Sequence, residues 1–273
     1  MKRYAQLLLF SLCCTLVFPT IAHAQCSAKN TAFKSGETLI YDLYFNWKFV
    51  WIKVGSASMN TTETVYNGKP AYKNYLITRG SKTADKFFVM RDTLMCYTGL
   101  DLTPLYYRKG AFEGNTYRKE EVWYSYTPTT CKVDMFYQRN TNEPKRSQFE
   151  SNQCAFDMLS MMMRARSFDA SEYKKGHRIK FIMADGRQCQ PQYIIYRGKE
   201  TFKMENSETK YRCLVFSFVE TKDGKEEEVV TFYITDDANH LPVRLDMYLN
   251  FGSAKAFLKG ASGLRNPQTA KIK

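Results

Sequence analysis

The chain has 273 residues, 44% hydrophobic and 15% aromatic, with a formal charge of +13 at pH 7. A chain of this length can bury a core without a disulfide scaffold. Its positive excess favours anionic partners such as lipid headgroups, acidic polysaccharide or nucleic acid.

The first residues place Lys2 and Arg3 before an apolar run from Leu7 to Phe18 and a small-x-small site at Ala22-His23-Ala24. That pattern is a secretory signal peptide over 1–24, removed after Ala24. Export makes nucleic acid the least expected partner, and none is predicted. Gln25 before Cys26 and Leu12 before Cys13 argue against a lipid anchor. No later stretch supplies the roughly 20 uninterrupted apolar residues of a spanning helix. The mature chain is therefore expected to be soluble or peripheral, not transmembrane, in a periplasmic setting.

Six cysteines remain after processing: Cys26, Cys96, Cys131, Cys154, Cys189 and Cys213. Their wide spacing selects no pairing, and no CxxC occurs, so most are expected to be buried structural residues. Basic residues are scattered, apart from a diffuse set at Lys259, Arg265, Lys271 and Lys273.

From Glu37 to Phe257 short β-type runs alternate with turn signals. Cys131, Val133, Met135 and Tyr137 form one apolar face, and Leu241, Val243, Leu245, Met247 and Leu249 another. Such period-two alternation marks antiparallel sheet with one wet side. Asn67-Gly68 and Asp223-Gly224 are hairpin dipeptides, while Asp185-Gly186 and Arg197-Gly198-Lys199 read as further bends. About a dozen strands in a meander predict a curled, half-barrel or barrel-like sheet.

One segment differs. Between Ser151 and Arg166 the sequence SNQCAFDMLSMMMRAR has helix formers, no Gly or Pro, and a cap at Ser151 or Asn152. It predicts one central buried helix near 152–166, on the concave side of the sheet. Phe156, Met158, Leu159, Met161, Met162 and Met163 wrap this helix. They read as core packing or as the lining of a cavity for a hydrophobic ligand, and Met158, Met161, Met162 and Met163 have as a last alternative soft copper(I) ligation through sulfur. Residues 30–259 form a single β-rich domain in this reading, and the tail 260–273 frays.

Signatures of catalysis are missing. The mature chain keeps only His177 and His240, and no HExxH, GxSxG, SxxK, Walker or GxGxxG pattern occurs. Asp236-Asp237 and Glu226 to Glu228 read as a turn and a solvated flank, since neighbouring strand residues point to opposite faces. No catalytic residue, metal ligand or cofactor is predicted.

Several segments together resemble a bacterial secreted family, domain of unknown function 3108. They are Phe33 to Tyr41, Trp51 to Ala57, Asp85, Phe87 and Asp92, Phe156 to Ser160, Thr235-Asp236-Asp237 with Leu241 to Arg244, and Gly252 to Leu258. The resemblance implies an exported envelope protein with a curved, barrel-like antiparallel sheet, and supplies no catalytic residues. Where that family has Trp before its Thr-x-Asp turn, this chain has Phe232-Tyr233-Ile234. Three functions follow as expectations. The first is a non-enzymatic carrier that shelters a lipid or other apolar or amphipathic ligand between helix and sheet. The second is an envelope structural protein that contacts another protein or a glycan. The third is an enzyme on envelope polymer, which would have to gather His177 or His240 with Asp85 or Asp92.

Overall fold

The computed structural model describes residues 26–272, except 48–49, 205–207, 223 and 250–251. The proposed signal peptide lies outside the described residues, as does Asp223 of one hairpin dipeptide. The first half of the chain forms β1 (Thr38–Trp47), β2 (Val50–Tyr66), β3 (Lys69–Gly80), β4 (Met90–Gly99), β5 (Pro104–Glu113), β6 (Thr116–Tyr126), β7 (Cys131–Arg139) and β8 (Lys145–Ser151). A short strand β9 (Ala155–Phe156) and the helix α1 (Met158–Ala165) stand at the middle. The second half adds β10 (Arg178–Ala184), β11 (Cys189–Lys203), β12 (Lys210–Lys222), β13 (Lys225–Thr235), β14 (Pro242–Leu249), β15 (Gly252–Ser262) and β16 (Lys271–Ile272).

All the strands belong to one sheet, in the order β8-β7-β6-β5-β4-β3-β2-β1-β15-β14-β13-β12-β11-β10-β9, with β16 added beside β12. Every neighbour is antiparallel except β9 on β10. The first strand pairs with β15, so the order is a meander on a ring, cut open between β8 and β9. Only residues 152–154 separate those two edges in sequence, and the edges come close in space. The Ser147 hydroxyl on β8 donates to the Arg187 carbonyl at 2.7 Å, and Gly186 lies against Glu120 and Phe136 of β6 and β7. The sheet therefore rolls up without closing its hydrogen-bond ladder.

Turn chemistry explains two of the corners. Asn67 and Gly68 both take positive φ (49° and 78°), as a tight primed hairpin requires. Asp185 caps its turn by accepting from the backbone N–H groups of Arg187 and Gln188, each at 2.9 Å. Gly198 corrects one expectation. Its positive φ serves a bulge inside β11, where pairing with β12 skips from Tyr196 to Gly198, and the strand runs on without a bend.

The helix is also shorter than predicted. Neither Ser151 nor Asn152 caps it; Ser151 ends β8 and Ala155–Phe156 pair with Ile182 and Met183 of β10. Asp157 is the N-cap, its carboxylate accepting from Ser160 N–H at 2.8 Å. Leu159 and Met163 join the main core with Leu94, Cys96 and Tyr107, whereas Phe156 and Met161 join a second cluster with Phe181, Tyr196 and Phe216.

The tail does not fray, and the domain runs beyond 30–259 at both ends. Arg265 donates to the carbonyl of Asn30 at 3.0 Å. Asn266 donates its backbone N–H to Asn239 Oδ1 at 2.9 Å, and its side chain reaches the Thr31 and Ala238 carbonyls. Ala270 is fully buried, and Lys271 pairs with Tyr211. Small size hid this segment from a reading based on large apolar residues, because its docking is polar. Cys26 is bonded to Cys154, which fastens the N-terminal strap, residues 26–37, to the link between the two sheet edges.

At the centre of these contacts is an ion pair. Arg166 and Glu37 are each only 1% exposed and meet through two hydrogen bonds, at 2.5 and 2.9 Å. Removing one partner leaves an uncompensated buried charge, so Glu37→Leu or Arg166→Met alone should cost about 3–5 kcal/mol. The double replacement should recover most of that loss. Urea unfolding of the two single variants and the double variant measures it, and additive losses would contradict the reading.

Candidate functional site

The six helix-region residues predicted to line a cavity are divided by the structure. Phe156, Leu159, Met161 and Met163 are buried in packed side chains; Met162 is partly buried, and Met158 is 47% exposed. Asp157 beneath them is fully buried, and Tyr124 donates to its carboxylate at 3.2 Å. Burial pushes this carboxyl from the ordinary 3.8 up to about 6, against the pull of the Ser160 and Tyr124 hydrogen bonds. Nearby, Thr61 donates to Asn74 at 2.8 Å and the Asn74 amide lies 3.9 Å from the Cys96 sulfur. These inward-facing groups occupy the space beside the helix.

The residues considered for catalysis are held in other ways. His240 Nδ1 lies 2.6 Å from the Arg166 carbonyl, and the His177 ring stacks on Tyr173 at 4.2 Å. Asp85 is bound by Arg91, and burial raises the Asp92 carboxyl to about 6. Asp237 accepts from the Thr235 hydroxyl at 2.9 Å and from the N–H groups of Asn239 and Ala270, each at 3.1 Å, so it organises its turn and the tail. The free thiols of Cys189 and Cys213 are pushed up to about 12 by burial, which removes thiolate reactivity at neutral pH.

Two concavities stand out, and no helix residue lines either. One is a shallow depression of about 680 Å³ by Ser27 to Asn30, Leu100 and Asp101. The other is a half-enclosed cleft of about 410 Å³. Its back wall is the outer side of β1 and β15, where two irregularities meet. Pairing jumps from Ile40↔Gly260 to Tyr41↔Leu258, leaving Lys259 as the extra residue of a bulge. On the other side of β1 the register to β2 shifts between Leu43 and Tyr44. Bulges re-aim side chains.

The floor of the cleft is aromatic. Phe257 stacks on Phe202 at 6.0 Å and meets Tyr44 edge-on at 5.6 Å. Met204 and Tyr211, flanking the tip of the β11–β12 hairpin, form the side wall, and Gln268 and Lys271 of the docked tail complete it. Lys259 stands at the mouth, 4.0 Å from Asp42, whose carboxylate is already engaged by Lys53 at 2.8 Å. The arrangement offers an apolar bed with two exposed ammonium groups, Lys259 and Lys271. Lys259 and Lys271 were visible in the sequence as part of a diffuse basic set, but nothing there showed that they share a cleft.

Another group faces outward, on β2, β4, β5 and β6. Tyr66 stacks on Tyr97 at 4.6 Å, and Tyr106 lies 5.6 Å from Trp123. These rings turn their faces largely toward one another, and Tyr106 donates to Glu121 at 2.5 Å.

A family model described as "Protein of unknown function (DUF3108)" matches residues 40–259. The chain belongs to this family. The match spans β1 through most of β15, thus the whole ring including the back wall of the cleft. A comparison with curated proteins finds no match. Among solved structures, the chain is similar to the "Beta-barrel-like Protein of Domain of Unknown Function DUF1849 from Brucella abortus". The TM-score is 0.53 at 10% identity, covering 85% of this chain and 99% of that one. At that identity the likeness concerns the fold, and it shows that this DUF3108 chain is barrel-like. Among the described residues no helix is long and apolar enough to cross a membrane.

The buried Asp157 has a consequence for stability. Its folded pKa of about 6 lies above the ordinary 3.8, so the folded state holds the proton more tightly. Stability from this group is full below about pH 4 and falls as pH rises toward 6, by about 3 kcal/mol in total. Asp157→Asn keeps the cap acceptor and should abolish that fall. Thermal or urea unfolding from pH 4 to 7 measures it; an unchanged pH slope in the variant would refute the assignment.

Proposed function

We propose that this DUF3108 protein is a non-enzymatic binding module, exported to the periplasm, that holds an anionic amphipathic molecule in the cleft between β1, β15 and the β11–β12 hairpin. The observation that carries the reading is the union of an aromatic floor, Tyr44 and Phe257, and a wall bearing Tyr211 with the exposed ammonium groups of Lys259 and Lys271. Its volume of about 410 Å³ falls within the range of roughly 300–1,000 Å³ common for ligand sites. Apolar burial supplies affinity there, and the ammonium groups orient the head. The Cys26–Cys154 disulfide suits an oxidising compartment and supports the export reading.

In this reading the ligand lies on the outside of the wall, away from the methionines of the helix. The aromatic cluster of Tyr66, Tyr97, Tyr106 and Trp123 is a weaker candidate for a glycan or protein partner, since stacking consumes much of its ring surface.

Gly260 gives a clean test. It lines the cleft, and a Cβ built there meets nothing within 4 Å. Gly260→Leu should fill the site without straining the strand, and binding of dodecyl phosphate, followed by calorimetry, should fall about tenfold or more. Lys259→Gln with Lys271→Gln should weaken the same probe while sparing dodecanol. If Gly260→Leu melts normally and binds dodecyl phosphate as tightly as the unaltered protein, the cleft is not the site.

A further inference from the structure

The exposed apolar residues are unevenly distributed. The pairs Gly55↔Gly80, Met90↔Glu113 and Leu249↔Gly252, with Phe45 between Ile52 and Ala254, fix one end of the rolled sheet. The β1–β2 hairpin, the 81–89 loop, and the β5–β6 and β14–β15 hairpins all open there. In the loop, Phe87 is 89% exposed and Phe88 is half exposed. At the start of β2, Val50 is 61% exposed and Ile52 is half exposed. Tyr248 and Leu249 end β14, and Phe112 and Tyr117 flank the β5–β6 turn, again exposed. Most of the exposed large apolar side chains among the described residues are therefore on this rim.

Lysines stand beside the loop and the β1–β2 hairpin, whereas Glu143, Glu226 and Glu227 are on the β7–β8 and β12–β13 hairpins further round the same end. Lys82 and Lys86 bracket the loop and are exposed, and the Lys255 ammonium lies 4.2 Å over the Trp51 ring. The nearby carboxylates are engaged: Asp85 with Arg91, and Glu113 with Arg118 at 2.6 Å. From β14 through β1 to β6 what remains is an arc of separate apolar tips with lysines between them. A globular partner is normally met by a contiguous apolar centre inside a polar border. Separate tips on one rim suit a soft plane, into which each side chain can sink while the ammonium groups stay at headgroup level.

We propose that this end of the sheet docks onto an anionic phospholipid surface. Phe87, Phe88, Val50 and Ile52 enter the interface, and Lys82, Lys86 and Lys255 lie against the phosphates. The site is separate from the ligand cleft and does not depend on it.

Flotation of the mature protein with vesicles tests the proposal. Binding is expected to phosphatidylcholine vesicles containing phosphatidylglycerol, to weaken with added salt, and to be much lower with phosphatidylcholine alone. Phe87→Ser and Val50→Ser should each reduce partitioning about tenfold. Lys82→Gln and Lys86→Gln should each reduce it about fivefold. All four positions are exposed, so melting temperatures should hold, and dodecyl phosphate binding should be unchanged. No flotation with either vesicle, or full binding by the four variants, would overturn the docking surface. Loss of flotation in Gly260→Leu alone would move the contact to the cleft and overturn it equally.

Discussion

Three parts of the chain that are distant in sequence meet at the guanidinium of Arg166, and a fourth, the tail, joins through Asn239. It follows the last turn of α1, pairs with Glu37 just before β1, and donates to the Asn239 carbonyl in the β13–β14 turn at 3.0 Å. The Phe33 ring lies beneath it at 5.4 Å. Asn239 in turn binds the tail, its side chain donating to the Asn266 and Pro267 carbonyls. A charge this deep is costly unless it is paired, and here a bidentate carboxylate, a carbonyl and an aromatic face surround it. That requirement fixes the N-terminal strap, the helix and the tail in one arrangement.

The remaining constraint is the seam. A sheet of this many strands either closes or exposes two edges. Here the chain passes from one edge to the other in residues 152–154, too few for the edges to separate far. The disulfide at Cys154 ties that link to the strap, and Arg164 donates to the Cys26 carbonyl at 2.7 Å. The helix then lies over the inner faces of β4 and β5, supplying Leu159 and Met163 to a core that the open ladder could not seal.

Local signals in the sequence therefore carried the architecture. Period-two runs located β7 and β14, Asn67-Gly68 located a hairpin, and the apolar 151–166 segment marked the point where the meander breaks. The errors share a cause. Ser151 and Asn152 look like caps because Ser and Asn are preferred N-cap residues and no Gly or Pro follows before the helix, but pairing of Ala155 with β10 is a tertiary choice that local sequence does not record. The docked tail is held by Arg265, Asn266 and Asp237 through backbone carbonyls and amides, a form of attachment that leaves no apolar pattern. The cleft was equally hidden, since it arises from two register shifts on β1 and a hairpin that folds across them.

The same geometry explains why the cleft lies on the outer wall. A rolled sheet whose interior already holds a helix, Asn74, Tyr107 and Asp157 has little inner volume for a ligand without expelling side chains that are themselves hydrogen-bonded or close-packed. Regular strands, for their part, present flat outer faces. Concavity can form only where regularity fails. On β1 the pairing slips at Ile40/Tyr41 on one side and at Leu43/Tyr44 on the other, and the docked tail raises a second wall beside that stretch. A strand with straight register there would bring Lys259 back into the ladder, so the bulge and the tail are jointly what make a cleft out of a wall.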